Sequence, residues 1–320
     1  MSGGVDHSSV LIVGDGQTAA LCAHALINEG RGRWRLAGVV APAKIQDFLQ
    51  HDARRDGNGR VRAPHRIVVA VDDRRGRLPL TELVNLRFSG VRIQDAPAFL
   101  EELSYKVPVR SVHPSDLVFS RGFSFSRWKF WAKTAGEWAL SLLALILISP
   151  VLAAAAAAIV IDSGRPVFFR QDRIGFRGRR FKVIKLRTML QNAEKSGPQF
   201  AVQDDPRVTR VGRFLRRSRL DEVPQLLNVL RGEMSLIGPR PERPAFVENF
   251  KELIPYFAYR HSVRPGITGW AQVSYGYTDD TNGSLEKLSY DLYYIKHHNV
   301  VLDAKILLLT IKTVIQREGR

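Results

Sequence analysis

The feature that most constrains this chain is an uncharged stretch of 24 residues, 138–161, with a proline near its middle. About 20 apolar residues in a helix cross the hydrocarbon core of a bilayer, so the stretch is long enough to span one. Pro150 interrupts it, because proline lacks a backbone N–H and clashes with the preceding turn. Ser149 and Pro150 are therefore predicted to break the helix into two halves. Each half, about 12 residues or roughly 18 Å, crosses only one leaflet.

Basic residues flank this stretch on both sides. Four lysines or arginines and no acid lie within 121–133, and nine with a single acid, Asp172, lie within 163–190. Short loops rich in Lys and Arg stay cytoplasmic, so one straight span would break this rule at one end. We therefore predict a re-entrant membrane helix over 136–162 that enters and leaves on the same side. A straight span with a proline kink and a helix buried in a protein core are the open alternatives.

The overall charge points to a polyanionic partner. The 320 residues carry a net charge of +17. Beside a membrane segment, lipid headgroups and phosphates are better candidates than nucleic acid, and we predict inner-membrane lipids as partners. The single cysteine, Cys22, excludes an intramolecular disulfide and a cysteine-cluster metal site, and we expect it to be a buried apolar residue. The polar N-terminus shows no signal peptide.

Residues 1–120 are predicted to form an α/β domain with a parallel sheet, because short apolar strands alternate with helices. The first strand, 9–13, runs into the sequence GDGQTA, which opens a helix. This matches a dinucleotide-binding fingerprint and makes Gly14 and Gly16 candidates for nucleotide binding. No acid marks the end of the second strand, where a ribose partner is expected. A Rossmann-like unit that serves as a scaffold or dimer surface is therefore the alternative.

A basic aromatic linker is predicted over 121–135, with Trp128 and Trp131 suited to a membrane interface. The re-entrant helix follows, and then a second unit over 163–320. Under this topology Trp131 and Arg165 lie on the same cytoplasmic side.

An arginine series leads into the most chemically dense segment. Arginines recur every three residues, at Arg207, Arg210, Arg213, Arg216 and Arg219. On a helix they would share a broad face. Guanidinium groups suit phosphate oxygens, and a solvated or headgroup-binding face is the alternative.

Asp221 and Glu222 follow this series. Adjacent residues on a helix do not face each other, so the two carboxylates are expected to have different roles. A structural alternative is that Asp221 is the N-cap of a helix over 222–230 that Gly232 closes. A helix N-terminus also attracts phosphate, so capping and catalysis are compatible.

Four basic residues are candidates for binding substrate phosphates. Arg240 stands between two prolines in a stiff turn, and Arg264 opens a second turn, RPGITGW. Lys185 and Arg187 lie in FKVIKLRTM, which alternates with apolar residues as on a strand edge.

Residues 128–320 closely resemble the bacterial sugar transferases that act as polyprenyl-phosphate glycosyl-1-phosphate transferases. The matching segments are Ser149-Pro150, KLRTM at 185–189, LDEVPQLLNVLRGEMSLIGPRPE at 220–242, RPGITGWAQV at 264–273 and YDLYYIK at 290–296. The resemblance implies an α-rich (α+β) monotopic catalytic domain with a re-entrant helix. It implies Mg²⁺-dependent transfer of a sugar-1-phosphate from a UDP-sugar to undecaprenyl phosphate, with release of UMP. The family's nucleophile falls on Asp221, its Mg²⁺-associated glutamate on Glu222 and its Pro-Arg-Pro arginine on Arg240.

The resemblance also implies a setting: an exopolysaccharide or other surface-glycan pathway at the bacterial inner membrane, with both termini cytoplasmic. A second copy of the chain is a candidate partner. The competing hypothesis is a non-enzymatic, membrane-tethered nucleotide-sensing scaffold built on residues 1–120.

Overall fold

The computed structural model describes most of the chain in two compact units, residues 1–113 and 114–320. The described residues are 8–30, 32, 34–49, 64–73, 78–110, 122–123, 126–191, 193, 205–276 and 280–316. Arg121 and residues 124–125 of the predicted linker lie outside them.

The first unit is a parallel sheet of four strands in the order β2-β1-β3-β4. The strands are β1 (Ser8–Val13), β2 (Trp34–Val40), β3 (Arg66–Val69) and β4 (Arg92–Asp95). The helices are α1 (Gln17–Glu29), α2 (Ile45–Asp47), α3 (Leu80–Phe88) and α4 (Ala96–Ser104), with a 3₁₀ turn at Pro42–Lys44. The predicted α/β unit with a parallel sheet is confirmed, whereas its Rossmann-like character stays a prediction.

The central strand β1 explains why this sheet is buried on both faces. Successive side chains of a strand point to opposite faces. Val10 and Ile12 lie in one buried apolar cluster with residues of α1 and α4, and Leu11 and Val13 lie in another with residues of α2 and α3. Cys22 is fully buried in the first cluster, and burial raises the pKa of its thiol to about 12.

The second unit combines one long helix, a β-hairpin, a short strand pair and six further helices within the described residues. The helices are α5 (Arg127–Ser163), α6 (Arg210–Arg217), α7 (Leu226–Leu230), α8 (Pro244–Leu253), α9 (Trp270–Ser274), α10 (Thr281–His297) and α11 (Val300–Ile315). The strands are the antiparallel β5 (Phe168–Ile174) and β6 (Arg180–Leu186) and the parallel β7 (Ser235–Ile237) and β8 (Gly266–Thr268). Short 3₁₀ turns lie at Phe176–Gly178, Leu220–Gln225 and Phe257–Ser262.

Helix α5 is longer than predicted and runs through Pro150. It starts at Arg127, so much of the predicted linker is helical. Pro150 offers no N–H to the carbonyl of Ile146, four residues earlier, and the Ser149 hydroxyl donates to that carbonyl instead at 2.8 Å. The prediction that helical structure stops at Ser149 and Pro150 is therefore corrected, and the return through the membrane stays a prediction.

The middle of α5 presents apolar side chains to its surroundings. Exposed residues there are Leu140, Leu142, Leu143, Ile146, Leu147 and Val151. In the described part of the chain, α5 is the one helix long and apolar enough to cross a membrane, by length and composition.

Both ends of α5 pack on the rest of the second unit. Near its start, the Lys133 ammonium lies 2.8 Å from a carboxylate oxygen of Asp303 on α11, and the Trp138 indole N–H donates to the Val229 carbonyl on α7 at 3.0 Å. Near its end, Ile159 is buried in an apolar cluster with residues of β6 and α6. The helix is thus fixed at both ends and exposed between them.

Candidate active site

Asp221 and Glu222 lie in the 3₁₀ turn Leu220–Gln225, between α6 and α7. The turn begins after Arg219, whose φ of 58° is left-handed. It packs against β6, which runs beside it and carries Lys185. Both carboxylate side chains are thereby buried although they are neighbours in the sequence.

The alternative that Asp221 caps a helix over 222–230 is wrong. The α-helix begins only at Leu226, and the Asp221 side chain caps no helix. Pro224 contributes to the difference, because it provides no N–H for an α-helical bond to the carbonyl of Leu220, four residues earlier. The helix does end as predicted, with Gly232 just beyond it at a φ of 74°.

Glu222 is held by two cations. Its Oε1 lies 2.8 Å from the ammonium of Lys185 and 2.5 Å from Nη2 of Arg240. Burial favours the protonated carboxyl, but Arg240 and Lys185 outweigh it and hold the pKa of Glu222 well below its usual range. Glu222 is therefore ionised and neutralised by its partners.

Asp221 has the opposite environment. Its Oδ1 is buried, with no hydrogen-bond donor among the described residues. Burial, reinforced by the negative charge of Glu222, raises the pKa of Asp221 to about 6. Nearby, the side-chain amide nitrogen of Gln225 is also buried without an acceptor among those residues. Asp221 is thus an ionisable carboxyl with an oxygen free for a ligand.

Arg240 reaches Glu222 from a turn that follows β7. The Gly238 N–H donates to the Thr268 carbonyl and the Gly266 N–H donates to the Pro239 carbonyl, both at 2.9 Å. A Cβ at Gly238 would lie 2.4 Å from a backbone oxygen of the facing turn, so only glycine permits this approach. The two stiff turns singled out in the sequence therefore pack against each other.

The described side-chain contacts of Arg187 are at the end of α5. Its Nη2 donates to the Ser163 carbonyl at 2.9 Å, to the Ser163 hydroxyl at 2.8 Å and to the Gly164 carbonyl at 2.5 Å. Cations are favoured at a helix C-terminus, where carbonyls lack partners. Its contacts therefore tie the end of α5 to β6.

Arg264 contacts the start of α5. Its Nη1 donates to the Thr134 hydroxyl at 3.3 Å, and its guanidinium stacks 4.7 Å from the centre of the Phe130 ring. The structure thus brings Lys185 and Arg240 to Glu222, whereas the described contacts of Arg187 and Arg264 are with α5.

Arg216 is a site residue that the sequence did not distinguish from its neighbours. It is half-buried, its Nε donates to the Thr188 hydroxyl at 2.9 Å, and its charge lowers the pKa of Asp221 against the effect of burial. The arginine series contained it, but spacing alone did not separate it from the other arginines; its contact with Thr188 and its effect on Asp221 do. Helix α6 covers Arg210 to Arg217 of the series and leaves Arg210, Arg213 and Arg217 exposed.

Two carboxylates are available for the expected metal, whose binding stays a prediction. No group of three or more His, Cys, Asp or Glu side chains suited to a metal occurs among the described residues. Mg²⁺ commonly uses one or two protein carboxylates together with substrate phosphates. Asp221 and Glu222 fit that requirement, and the unpartnered Oδ1 of Asp221 is the better placed oxygen, since Oε1 of Glu222 already holds two cations.

In the first unit, a carboxylate of the protein itself binds the glycine turn where the sequence motif suggests a nucleotide phosphate. The carboxylate of Asp72 accepts from the Gln17 N–H at 3.0 Å and the Thr18 N–H at 3.3 Å, at the start of α1. Hydrogen bonds from Thr18 and from the Gln17 N–H lower the pKa of Asp72, and they outweigh the opposing effect of burial. A Cβ at Gly16 would lie 1.9 Å from Asp72 Oδ2, and one at Gly14 would lie 2.1 Å from a backbone oxygen after β3. This packing accounts for both glycines without a nucleotide, and nucleotide binding there stays a prediction.

Comparison with known proteins matches the second unit. The model of a family described as bacterial sugar transferase matches residues 128–317. The chain is 49% identical over 179 residues to a UDP-N-acetylgalactosamine-undecaprenyl-phosphate N-acetylgalactosaminephosphotransferase of Aeromonas hydrophila, which covers 56% of this chain and 42% of that protein. It is 46% identical over 181 residues to a UDP-glucose:undecaprenyl-phosphate glucose-1-phosphate transferase of Escherichia coli strain K12, covering 56% and 39%.

A third relative is nearly matched over its full length. The exopolysaccharide production protein PSS of Rhizobium leguminosarum bv. phaseoli is 39% identical over 183 residues, covering 55% of this chain and 92% of that protein. The match spans about two fifths of the length of the first two relatives.

Proposed function

The chain belongs to the bacterial sugar transferase family, and we propose that it transfers a sugar-1-phosphate from a UDP-sugar to undecaprenyl phosphate and releases UMP. The observation that carries this function is the contrast within the carboxylate pair. Glu222 is ionised and paired with Lys185 and Arg240, whereas Asp221 offers a buried oxygen with no partner among the described residues. Such a division suits one carboxylate that reacts and one that organises positive charge around it.

The reaction proceeds in two displacements. A carboxylate oxygen of Asp221 attacks the phosphorus that carries the sugar, the bond from that phosphorus to the oxygen of UMP breaks, and UMP leaves with the electron pair. An acyl phosphate on Asp221 results. A phosphate oxygen of undecaprenyl phosphate then attacks the same phosphorus and releases the carboxylate. Both nucleophiles are anions, so neither step requires a general base.

Positive charge around the pair supports this chemistry. Lys185, Arg240 and Arg216 surround the two carboxylates and are placed to neutralise charge that builds up on the diphosphate. Asp221 and Glu222 would hold Mg²⁺ together with substrate phosphates, and the ion would supply further charge neutralisation. Arg187 and Arg264, by their contacts with α5, hold the site against the membrane helix.

We propose that α5 turns back at Ser149 and Pro150, so that both its flanks lie on the cytoplasmic side of the inner membrane. Both ends of α5 contact the rest of the second unit, which supports this topology. A straight span would place one end on the far side of the bilayer, where that unit could not reach it. The acceptor phosphate lies at the membrane surface, where such a helix would hold the site. The relative named exopolysaccharide production protein PSS supports a role in the synthesis of exopolysaccharide or another surface glycan. The proposed transfer would be its first membrane step.

The direct test is UMP release by protein in lipid nanodiscs, with UDP-glucose and UDP-N-acetylgalactosamine as donors and undecaprenyl phosphate as acceptor. Asp221→Asn removes the charge of the nucleophile while keeping its size, and should lower turnover by on the order of 10³-fold or more. Glu248→Gln, on an exposed side chain of the same unit, is the control and should match the wild type. Turnover by Asp221→Asn near the wild-type rate would remove Asp221 from the reaction.

A further inference from the structure

The turn that carries Arg240 is held from outside by three separate elements, β5, β8 and the 3₁₀ turn Phe257–Ser262. Four consecutive carbonyls, from Pro239 to Glu242, each accept a hydrogen bond from elsewhere in the unit. Their donors, in order, are the Gly266 N–H at 2.9 Å, Arg260 Nη2 at 3.0 Å, Arg173 Nη1 at 3.1 Å and the Ile174 N–H at 3.0 Å. The backbone on both sides of Arg240 is therefore fixed by tertiary contacts.

The sequence of the turn explains why outside donors are needed. Pro239 and Pro241 have no N–H, so this segment cannot form a regular ladder with a neighbouring strand. Two of its four donors are guanidinium groups, and hydrogen bonds from charged donors are stronger than those between neutral groups. Of the two, Arg260 bonds the carbonyl of Arg240 itself.

Arg260 is itself fixed by a buried acid. It lies in the 3₁₀ turn Phe257–Ser262 with 6% of its side chain exposed, and its Nη2 lies 2.8 Å from Oδ2 of Asp291 on α10. Asp291 is 1% exposed. Glu242 is a second, more distant acid, 3.9 Å from Arg260 Nη1 and 3.7 Å from Arg173 Nη1. A buried charge without its partner is strongly destabilising, so Asp291 leaves Arg260 few alternative positions.

We propose that Arg260, held by Asp291, is a positioning residue that sets the guanidinium of Arg240 against Glu222. The chain of contacts runs from Asp291 to Arg260, then through the Arg240 carbonyl to the Arg240 side chain and its 2.5 Å contact with Glu222. Arg260 acts through the backbone and touches neither carboxylate of the pair. What Arg240 does for the substrate rests on the proposed function, but its placement by Arg260 does not.

A labelling experiment tests the placement without any substrate. The Arg240 side chain is 36% exposed and open to phenylglyoxal, whereas its pairing with Glu222 slows modification. The rate of Arg240 modification, followed by mass spectrometry, is expected to rise several-fold in Arg260→Lys and in Asp291→Asn. Arg180→Lys is the matched control, since Arg180 is an exposed arginine whose paired acid, Glu248, lies 3.7 Å away. It should leave the rate unchanged.

Kinetics provide the second measurement. Displacing a catalytic group slightly lowers turnover on the order of 10- to 100-fold, so kcat for UMP release should fall in both variants while KM changes little. In an Arg240→Ala background the same Arg260→Lys change should cost less than twofold, because its effect passes through Arg240. A purely structural role would lower kcat by the same factor in both backgrounds.

Two results would overturn the proposal: an Arg240 labelling rate in folded Arg260→Lys and Asp291→Asn equal to that of the wild type, or additive kinetic effects. If Arg260→Lys does not fold, the rate of Arg240 labelling in Asp291→Asn alone tests the proposal. A wild-type protein that releases no UMP while the labelling rates change as expected would contradict the proposed function and leave the positioning role intact.

Discussion

Two adjacent carboxyl groups in this protein have pKa values shifted in opposite directions because their surroundings differ. Lys185 and Arg240 stabilise the charge of Glu222, whereas burial and the charge of Glu222 disfavour the charge of Asp221. The sequence predicted that neighbours would have separate roles, but it assigned Asp221 a capping alternative that the 3₁₀ turn removes. The spacing of residues does not show which of the two carboxylates pairs with Lys185 and Arg240. That depends on tertiary contacts, such as the packing of β6 beside the turn.

This contrast predicts the titration of Asp221 in metal-free protein. Its pKa, raised to about 6, means that the carboxyl is protonated below that pH and ionised above it. Infrared difference spectra, wild type minus Asp221→Asn, should show a carboxylic acid band lost with a midpoint near pH 6. Adding Mg²⁺ should lower the midpoint if an oxygen of Asp221 binds the ion. A midpoint below pH 5 in metal-free protein would contradict the environment described for Asp221.

Four basic residues were chosen from the sequence as candidates for phosphate binding. Lys185 and Arg240 contact Glu222, whereas Arg187 and Arg264 contact the two ends of α5. The sequence identified these residues by their stiff or alternating surroundings, which do not indicate where a long side chain points. Arg260 carries no local signal, because its partner Asp291 lies on a distant helix.

At the scale of elements, α5 shows how a proline is accommodated in an apolar helix. Inside a membrane a carbonyl without a partner is costly because no water replaces the lost donor. Ser149 supplies the donor that Pro150 lacks, so the two residues act as a pair on the Ile146 carbonyl. The flanking charges and the proline predicted a break in the helix at this position. The contact of Ser149 with the Ile146 carbonyl explains why helical structure continues through it.

The pairing predicts a non-additive stability effect. Ser149→Ala should lower the unfolding free energy by about 1 kcal/mol, because the Ile146 carbonyl loses its donor. In a Pro150→Ala background the same change should be nearly neutral, since an alanine at that position would provide its own N–H. Thermal unfolding of the four proteins in nanodiscs measures the coupling. Equal losses in both backgrounds would show that Ser149 does not replace the missing donor.

At the scale of the whole molecule, the sequence predicted much of the architecture from simple patterns. Alternating strands and helices predicted the parallel sheet, and one uncharged stretch predicted the long apolar helix. The start of α5 at Arg127 was missed, because the basic aromatic segment before the apolar stretch lacks an apolar helical pattern of its own. Its helical structure depends on contacts such as Lys133 with Asp303, which local sequence does not reveal.

The topology of α5 can be measured in cells. Single cysteines replacing the exposed Lys129 and Arg165, in a Cys22→Ser background, flank the helix on either side of Pro150. Under the re-entrant proposal, an impermeant maleimide labels neither site in intact cells and both after the cells are opened. Labelling of one site alone in intact cells would show a straight span.

If Asp221 carries the sugar phosphate between donor and lipid, as we propose, the covalent adduct on Asp221 can be trapped. Wild-type protein is incubated with a UDP-sugar in the absence of undecaprenyl phosphate, quenched in acid, digested and analysed by mass spectrometry. We expect one sugar-phosphate on the peptide containing Asp221. The adduct should be lost when undecaprenyl phosphate is added before the quench and should be absent in Asp221→Asn. Transfer to the lipid at full rate, with no adduct at any quench time and with an active Asp221→Asn protein, would contradict this role of Asp221.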